Sequence, residues 1–402
     1  MHLSPLLLAL AAAAFSTSTS ATAAAPEQPK QARATVACTS TAQCAAAGYA
    51  LPSNAHYACN KARRTCTFSC NTGYTLTGSA CTKNGEATPV VAARAATATA
   101  PSATPKLYRT YSGSSLLSQF TFWTAADPTH GQVTYVDAAT AAKKGLASVT
   151  KSGTVLLSID RTSKLAPGAK RESVRLSSKE AFDAGKLIIA DFKHAPVGCG
   201  AWGAFWTYNY PWPQSGEIDI YEGVNARNYN QYTLHTAPGC TRSGKMTGSL
   251  VDAPSDCGAG GGSVGCTVFD RSPTSFGTGF NSAGGGVFAV LYAETGLSIW
   301  RWPRASIPAD VKKGAPRWKS WGTPVAAFDG KTCDTRTFFK QQLITFDITT
   351  CGDWAGQDSV WRDPLQSGKC YPKYKTCSAA VQDPAAFKEA YFEVNYVKVF
   401  TV

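Results

Sequence analysis

Residues 201–225 read AWGAFWTYNYPWPQSGEIDIYEGVN, and the second half of this stretch sets Glu217, Asp219 and Glu222 into an otherwise apolar strand. Acids in such a strand are costly to bury unless the acidic face opens onto a cleft. Side chains alternate along a strand, so Glu217 and Asp219 share a face while Glu222 has the wrong parity. A β-bulge near Ile220 or Tyr221 inserts one extra residue and returns Glu222 to the face of the other two. The spacing therefore predicts a bulge, and the acids form one site only if it is there. With the bulge counted as one position, the glutamates stand about four strand steps apart, roughly 13 Å between α-carbons. Side chains leaning inward by ~3 to 4 Å bring the carboxyls to about 5 to 6 Å, which suits attack on a sugar carbon by one and protonation of the leaving oxygen by the other, with retention. Asp219, shorter and between them, is placed to hydrogen-bond the nucleophile, and its charge helps to keep the acid protonated.

A bare E-x-D-x-x-E reads first as an acidic edge strand or a calcium site. Its surroundings favour a sugar cleft, because Trp202, Trp206 and Trp212 lie within fifteen residues of Glu217. Flat indole faces stack on pyranose rings. Taken singly, each tryptophan reads first as core.

Outward from this stretch, short runs rich in Val, Ile, Phe, Tyr and Trp alternate with Gly, Pro, Asn and Asp. Val287 to Tyr292, a break at Glu294-Thr295-Gly296, and Leu297 to Trp302 form one such pair. That is hairpin punctuation. Helical signals are brief: Asp137 as N-cap of an alanine-rich stretch ending at Gly145, and Asp383-Pro384 opening a turn before Phe387. Tyr391 to Phe400 reads as a closing strand. The fold class is all-β, a sandwich or barrel.

With 44% hydrophobic and 16% charged residues in 402, the chain is not disordered, collagenous or coiled-coil. Residues 1–23 read as a secretory signal peptide, with an apolar run from Leu6 to Phe15 too short to span a membrane. The mature protein is expected to be secreted, extracellular or in the cell wall, and monomeric. Fourteen cysteines in such a compartment imply disulfides. Six fall in 36–83, a small disulfide-rich module, and eight from Cys199 onward, so each group can pair within itself. Residues 84–105 form an Ala/Thr/Pro linker suited to O-glycosylation, and residues 106–402 form the large domain.

The net charge of +13 is spread along the chain, with seven basic and two acidic residues before position 105 and 32 and 24 after it. Without a basic run, a nucleic-acid footprint is not expected. His56 and His130 lack zinc-ligand spacing, so no metal site is assigned. The clusters Gly258 to Gly262 and Gly284 to Gly286 lack a following Lys-Ser/Thr and read as loops, not phosphate cradles. Lys170-Arg171 reads as a solvated turn.

The stretch GAWGAFWTYNYPWPQSGEIDIYEGVN, with YTLHTAPGC at 232–240, resembles glycoside hydrolase family 16, in particular the secreted fungal endo-1,3(4)-β-glucanases or laminarinases. Further matches are YSGSSLLSQFTFWTAADPTHGQVTYV from Tyr111, ESVRL at 172–176, FGTGFNSAGGGVFAV from Phe276, PRASIPADV from Pro303, TCGDWAG from Thr350 and AYFEVNYVKVF from Ala390. The resemblance implies a concanavalin-A-like jelly-roll β-sandwich with a β-glucan across one face. It implies Glu217 as nucleophile, Asp219 as helper and Glu222 as general acid/base, with Trp206, Trp212, Arg175, His235 and Trp354 binding substrate and Asn225 as a further candidate. No cofactor is required, and a structural Ca2+ ion is compatible with the family although no ligand loop is legible. Two departures stand out. Gly203 occupies a position where relatives commonly carry Pro, which is expected to loosen the strand entering the site, and the six-cysteine module lies outside the family pattern. The leading expectation is a secreted retaining endo-β-glucanase acting on β-1,3 and mixed β-1,3/1,4 glucans. The alternatives are a wall-remodelling β-glucan transglycosylase and a non-catalytic β-glucan-binding protein.

Overall fold

A computed structural model describes residues 55–60, 65–77, 80–84, 104–251 and 253–402. The expected signal peptide, most of the linker and much of the cysteine-rich module lie outside the described residues. The chain divides into two units, Met1–Thr97 and Ala98–Val402. In the first, Ala55–Asn60 pairs antiparallel with Thr65–Cys70, and Tyr74–Thr77 with Ala80–Lys83. Cys59 stands opposite Cys66 in register, and Cys70 is disulfide-bonded.

The second unit is a jelly-roll sandwich of two antiparallel sheets. Seven strands make the sheet that carries the acids, numbered here in chain order: β1 Phe120–Phe122, β2 Arg175–Phe182, β3 Ala201–Tyr208, β4 Glu217–Val224, β5 Asn230–His235, β6 Cys266–Asp270 and β7 Gln342–Thr350. Their spatial order is β6-β5-β4-β3-β7-β2-β1, which sets β3 and β4 near the middle. The opposing sheet runs Ala326–Asp329, Gly296–Pro303, Gly286–Ala293, Lys186–His194, Tyr391–Thr401, Val155–Ser158 and Ala147–Val149, with Lys106–Tyr111 also against Tyr391–Thr401. The hairpin expected around Glu294-Thr295 is there, with Ala293 paired to Gly296. The expected closing strand pairs with strands on both of its edges.

Alternation builds the core. Phe205 points between the sheets while Ala204, Trp206 and Tyr208 face the other way. Phe192 and Phe392 from the opposing sheet meet Phe205 and Phe346, with ring centroids 5.1 Å apart for Phe192–Phe205 and 5.3 Å for Phe346–Phe392. Each buried ring contributes about 1.5–3 kcal/mol relative to an exposed one.

Asp137 and Asp383 cap their helical turns as expected, accepting from the backbone N–H groups of Thr140 and Ala385. Between β7 and the closing strand lie five further helices of four to six residues, from Gly352–Ala355 to Cys377–Gln382, for which the sequence has no periodic signal. Disulfides Cys199–Cys370 and Cys351–Cys377 tie this segment to the sheet, and Cys240–Cys333 and Cys257–Cys266 tie the loops beyond β5. The eight later cysteines thus pair among themselves. Arg171 is not in a solvated turn: it is buried, donates to the carbonyls of Val381 and Asp160, and lies over the Phe387 ring. A charge pattern read locally could not reveal carbonyls 210 residues away that satisfy it. Among the described residues no helix is long and apolar enough to cross a membrane.

Candidate active site

The bulge lies where parity requires it. Phe205 pairs with Tyr221 and Trp206 with Asp219, which leaves Ile220 as the extra residue of β4. Ile218, Ile220 and Tyr221 all turn into the core, while Glu217, Asp219 and Glu222 line a cleft of about 690 Å³. Asn230 of β5 closes the interruption. The β4–β5 ladder pairs only Glu217 with His235 and Ile218 with Leu234. Beyond it, Asn230 Oδ1 accepts from the Glu222 N–H at 2.9 Å and Nδ2 donates to the Ile220 carbonyl at 3.0 Å. One buried carboxamide thus replaces two backbone partners that the bulge displaces.

Each acid has its own donors. Trp212 Nε1 donates to Glu217 Oε2 from the loop before β4. Trp212 is 38% exposed, so one face of its ring remains free at the cleft mouth. His235 Nε2 lies 3.2 Å from Asp219 Oδ2, and its Nδ1 donates to the Gly262 carbonyl at 2.5 Å. Gly262 has φ +96°, and a Cβ there would stand 2.4 Å from Pro213, so only glycine brings that carbonyl to the imidazole. Donor and acceptor atoms of Glu217, Asp219 and His235 lie within 4.8 Å of one another. Trp202 Nε1 donates to Glu222 Oε1 at 3.0 Å and Gln231 Nε2 to Oε2 at 3.2 Å.

Burial, reinforced by the charges of Glu222 and Glu217, pushes Asp219 well above the carboxylate range, with His235 opposing. Burial also raises Glu222, against the charge of His235 and the Trp202 hydrogen bond. Burial disfavours a charged His235, but Asp219 and Glu217 outweigh it and push the imidazole up to about 10. Both members of the His235–Asp219 pair are thus displaced toward their protonated forms, the imidazole by the neighbouring carboxylates and the carboxyl by burial. The expectation that Asp219 raises the acid by its charge needs correcting, since burial is the larger cause and Asp219 is itself displaced upward.

Arg175 is buried in the cleft wall, its guanidinium 5.0 Å from the rings of Trp123 and Trp206 and 5.3 Å from Tyr208. It stands opposite Asp347 of β7, which burial pushes up to about 7 against the pull of Arg175. Trp206 Nε1 donates to Asp347 Oδ1 at 2.7 Å, and its ring stacks on Tyr208 at 4.5 Å, so Trp206 forms wall where Trp212 is exposed platform. Trp354 also lines the cleft, edge-on to Trp202 at 5.5 Å.

Asn225 is not among the residues brought to the cleft. It is buried at φ +57°, accepts from the Gly200 N–H at 2.8 Å and donates to the Ala355 carbonyl at 3.2 Å, and so holds a turn. Gly203 does not loosen its strand. The residue is paired on both sides, and a Cβ would meet the Pro196 ring at 2.7 Å. Gln231, Tyr208 and Asp347 are cleft residues the sequence reading missed, and Trp202, read there only as one of three tryptophans near Glu217, proves to be a partner of Glu222. Trp202 shares the parity of Trp206, and Asp347 is a lone acid in an apolar run, so both had a legible signal; Gln231 had none.

A two-sheet jelly roll whose central strand bulges to align three acids along a tryptophan-walled cleft defines a glycoside hydrolase of the family 16 type. The chain belongs to that family: the family model described as XgeA-like, catalytic GH16 domain, matches residues 120–400. It is 42% identical over 303 residues to a probable endo-1,3(4)-β-glucanase of Aspergillus fumigatus, covering 74% of this chain and 46% of that protein. It is 40% identical to endo-1,3(4)-β-glucanase xgeA of Emericella nidulans, covering 73% and 47%. The chain thus spans about half the length of these curated relatives. Among solved structures it is similar to laminarinase 16A of Phanerochaete chrysosporium with two β-glucans in donor and acceptor sites, at 36% identity and TM-score 0.67, covering 74% of this chain and 99% of that one. An elongating family 16 β-1,3-glucosyltransferase is 40% identical with TM-score 0.65, covering 74% and 100%.

Proposed function

We propose that the protein is a secreted, retaining endo-β-glucanase that cuts internal linkages of β-1,3 and mixed β-1,3/1,4 glucans. The observation that carries this reading is the bulge at Ile220, which puts Glu217, Asp219 and Glu222 on one wall of the cleft. A Glu217 carboxylate oxygen attacks the anomeric carbon while Glu222 gives its proton to the departing glycosidic oxygen, leaving a glycosyl-enzyme ester. Glu222, now a carboxylate, takes a proton from water, whose oxygen attacks the same carbon and frees Glu217. The partly exposed Glu217 is suited to attack and the buried Glu222 to holding a proton. Asp219 and His235 brace the row between them. Trp212 supplies a stacking face and Arg175, Trp206 and Trp354 shape the walls. Residues 106–402 are the catalytic domain in this reading, working as a monomer behind the linker and the 36–83 module. The names of the relatives support the substrate class.

Transfer to a second sugar in place of water uses the same two glutamates, and the likeness to an elongating β-1,3-glucosyltransferase makes it the second reading. The deciding experiment incubates wild type and Glu217→Gln with laminarin, mixed-linkage glucan and β-1,6-glucan and follows products by NMR. The reading expects the β anomer first, and its loss in the variant. Initial α anomer would exclude retention, and oligomers longer than the donor would move the assignment to transfer.

A further inference from the structure

Three arginines of the second unit, Arg171, Arg227 and Arg175 of the cleft wall, are buried, and the first two almost completely. The first is satisfied by carbonyls and lies 3.7 Å from the Asp160 carboxylate. Arg227 differs. Its Nη1 donates to Gln231 Oε1 at 3.0 Å, and its Nε and Nη2 are buried with no hydrogen-bond partner among the described residues. Its guanidinium lies 3.9 Å from the Tyr229 ring and 5.3 Å from Trp354. A buried cation with idle donors is costly for the fold, so its position calls for another reason.

What Arg227 contacts is the residue that holds Glu222. A guanidinium has donors and no acceptor, so it secures the oxygen end of the Gln231 amide. The NH2 end is then left to donate to Glu222 Oε2 at 3.2 Å and to Thr233 Oγ1 at 3.3 Å. Unsecured, the amide could rotate and set its oxygen against the carboxyl. Trp202 on the opposite oxygen completes the grip.

We propose that Arg227 is a positioning residue for the reaction: through Gln231 it fixes the Glu222 carboxyl in place and keeps it able to become a carboxylate after giving up its proton. This rests on the assignment of Glu222 as acid/base. That residue must hold a proton in the first step and accept one in the second. Glu217 from β4 disfavours its charged form, while Asp219 on β4 and Asp347 on β7 are themselves displaced upward by its charge; His235 from β5 and Arg227 favour the charged form, with Arg271 beyond Arg227. Burial opposes the charge as well, and the Arg227–Gln231 relay counters it.

The test measures kcat and KM on laminarin across about pH 4 to 9 for wild type, Arg227→Met, Arg227→Lys, Gln231→Leu, the Arg227→Met/Gln231→Leu double variant and Glu222→Gln. Methionine keeps contact with Tyr229 and Trp354 while deleting the charge. In Arg227→Met and Gln231→Leu the alkaline limb of kcat/KM should move up by about half a pH unit or more, because the proton on Glu222 is held more tightly. At the optimum, kcat should fall about ten-fold with KM within about two-fold. Lysine should restore most of the limb, and the double variant should shift no further than Gln231→Leu alone. A folded Arg227→Met with an unmoved limb, or shifts that add, would overturn the proposal. If Arg227→Met does not fold, an unmoved limb in Gln231→Leu does the same. Activity retained by Glu222→Gln would instead overturn the acid/base assignment, whatever the Arg227 variants do.

Discussion

The same two strands, Ala201–Tyr208 and Glu217–Val224, present faces of opposite character. Inward they show Phe205, Ile218, Ile220 and Tyr221, which meet the rings of Phe192, Phe288 and Phe392. Outward they show Trp202, Trp206, Tyr208 and the three acids, each with specific polar partners. The inner face stabilises through area and shape and carries no chemistry. The outer face holds buried ionisable groups that oppose folding and make the chemistry available. The two functions are separable residue by residue because the pleat sends neighbours to opposite sides.

Substitutions should keep that separation visible. Glu217→Gln is expected to lower kcat on laminarin by about four orders of magnitude or more without lowering Tm, measured by initial rates and a thermal melt. A drop of less than about ten-fold would remove Glu217 as nucleophile. Against the inner face, Phe192→Ala in the opposing sheet should cost about 3–5 kcal/mol in a denaturant titration while the folded fraction keeps its kcat. A large kcat loss there would show that the faces are coupled.

Asn230→Ala crosses the boundary, since it leaves the Glu222 N–H and the Ile220 carbonyl without their buried partner. Stability should fall by about 1–3 kcal/mol and kcat by about a hundred-fold, from misplacement of Glu222. Unchanged kinetics in that variant would mean that the bulge holds without its clamp.

The smallest effect concerns pH. His235 titrates at about 10 in the fold against ~6.5 unfolded, so its contribution is complete below pH ~6.5 and is lost as pH rises toward 10. Asp219 and Glu222 are also raised, so their contributions too are present at low pH and lost on going alkaline. Wild-type Tm should therefore decline by a few degrees from about pH 6 to pH 9, and Asp219→Asn should flatten that decline. A flat wild-type profile by circular dichroism would contradict the upward displacement of His235 and Asp219.

The legible parts were those with a local period. The bulge near Ile220 followed from a parity mismatch within six residues, and the hairpin at Glu294-Thr295 from turn residues between two apolar runs. The five helices between Gly352 and Gln382 were not legible, because each is too short to show a face and the segment is held by disulfides, one of them to Cys199, 171 residues before Cys370. Arg171 and Asn225 were misread for a related reason: each is explained by carbonyls or amides from other segments.

By itself the sequence determined the β architecture, the row of three acids and the irregularity that aligns them, because strand alternation is a property of consecutive residues. Only the tertiary structure decided which groups serve those acids. Trp202 reaches Glu222 from 20 residues away, Gly262 reaches His235 from 27, and Asp347 reaches Trp206 from 141. Such meetings, and the burial that shifts the protons, exist only once whole strands have packed, and no local spacing encodes them.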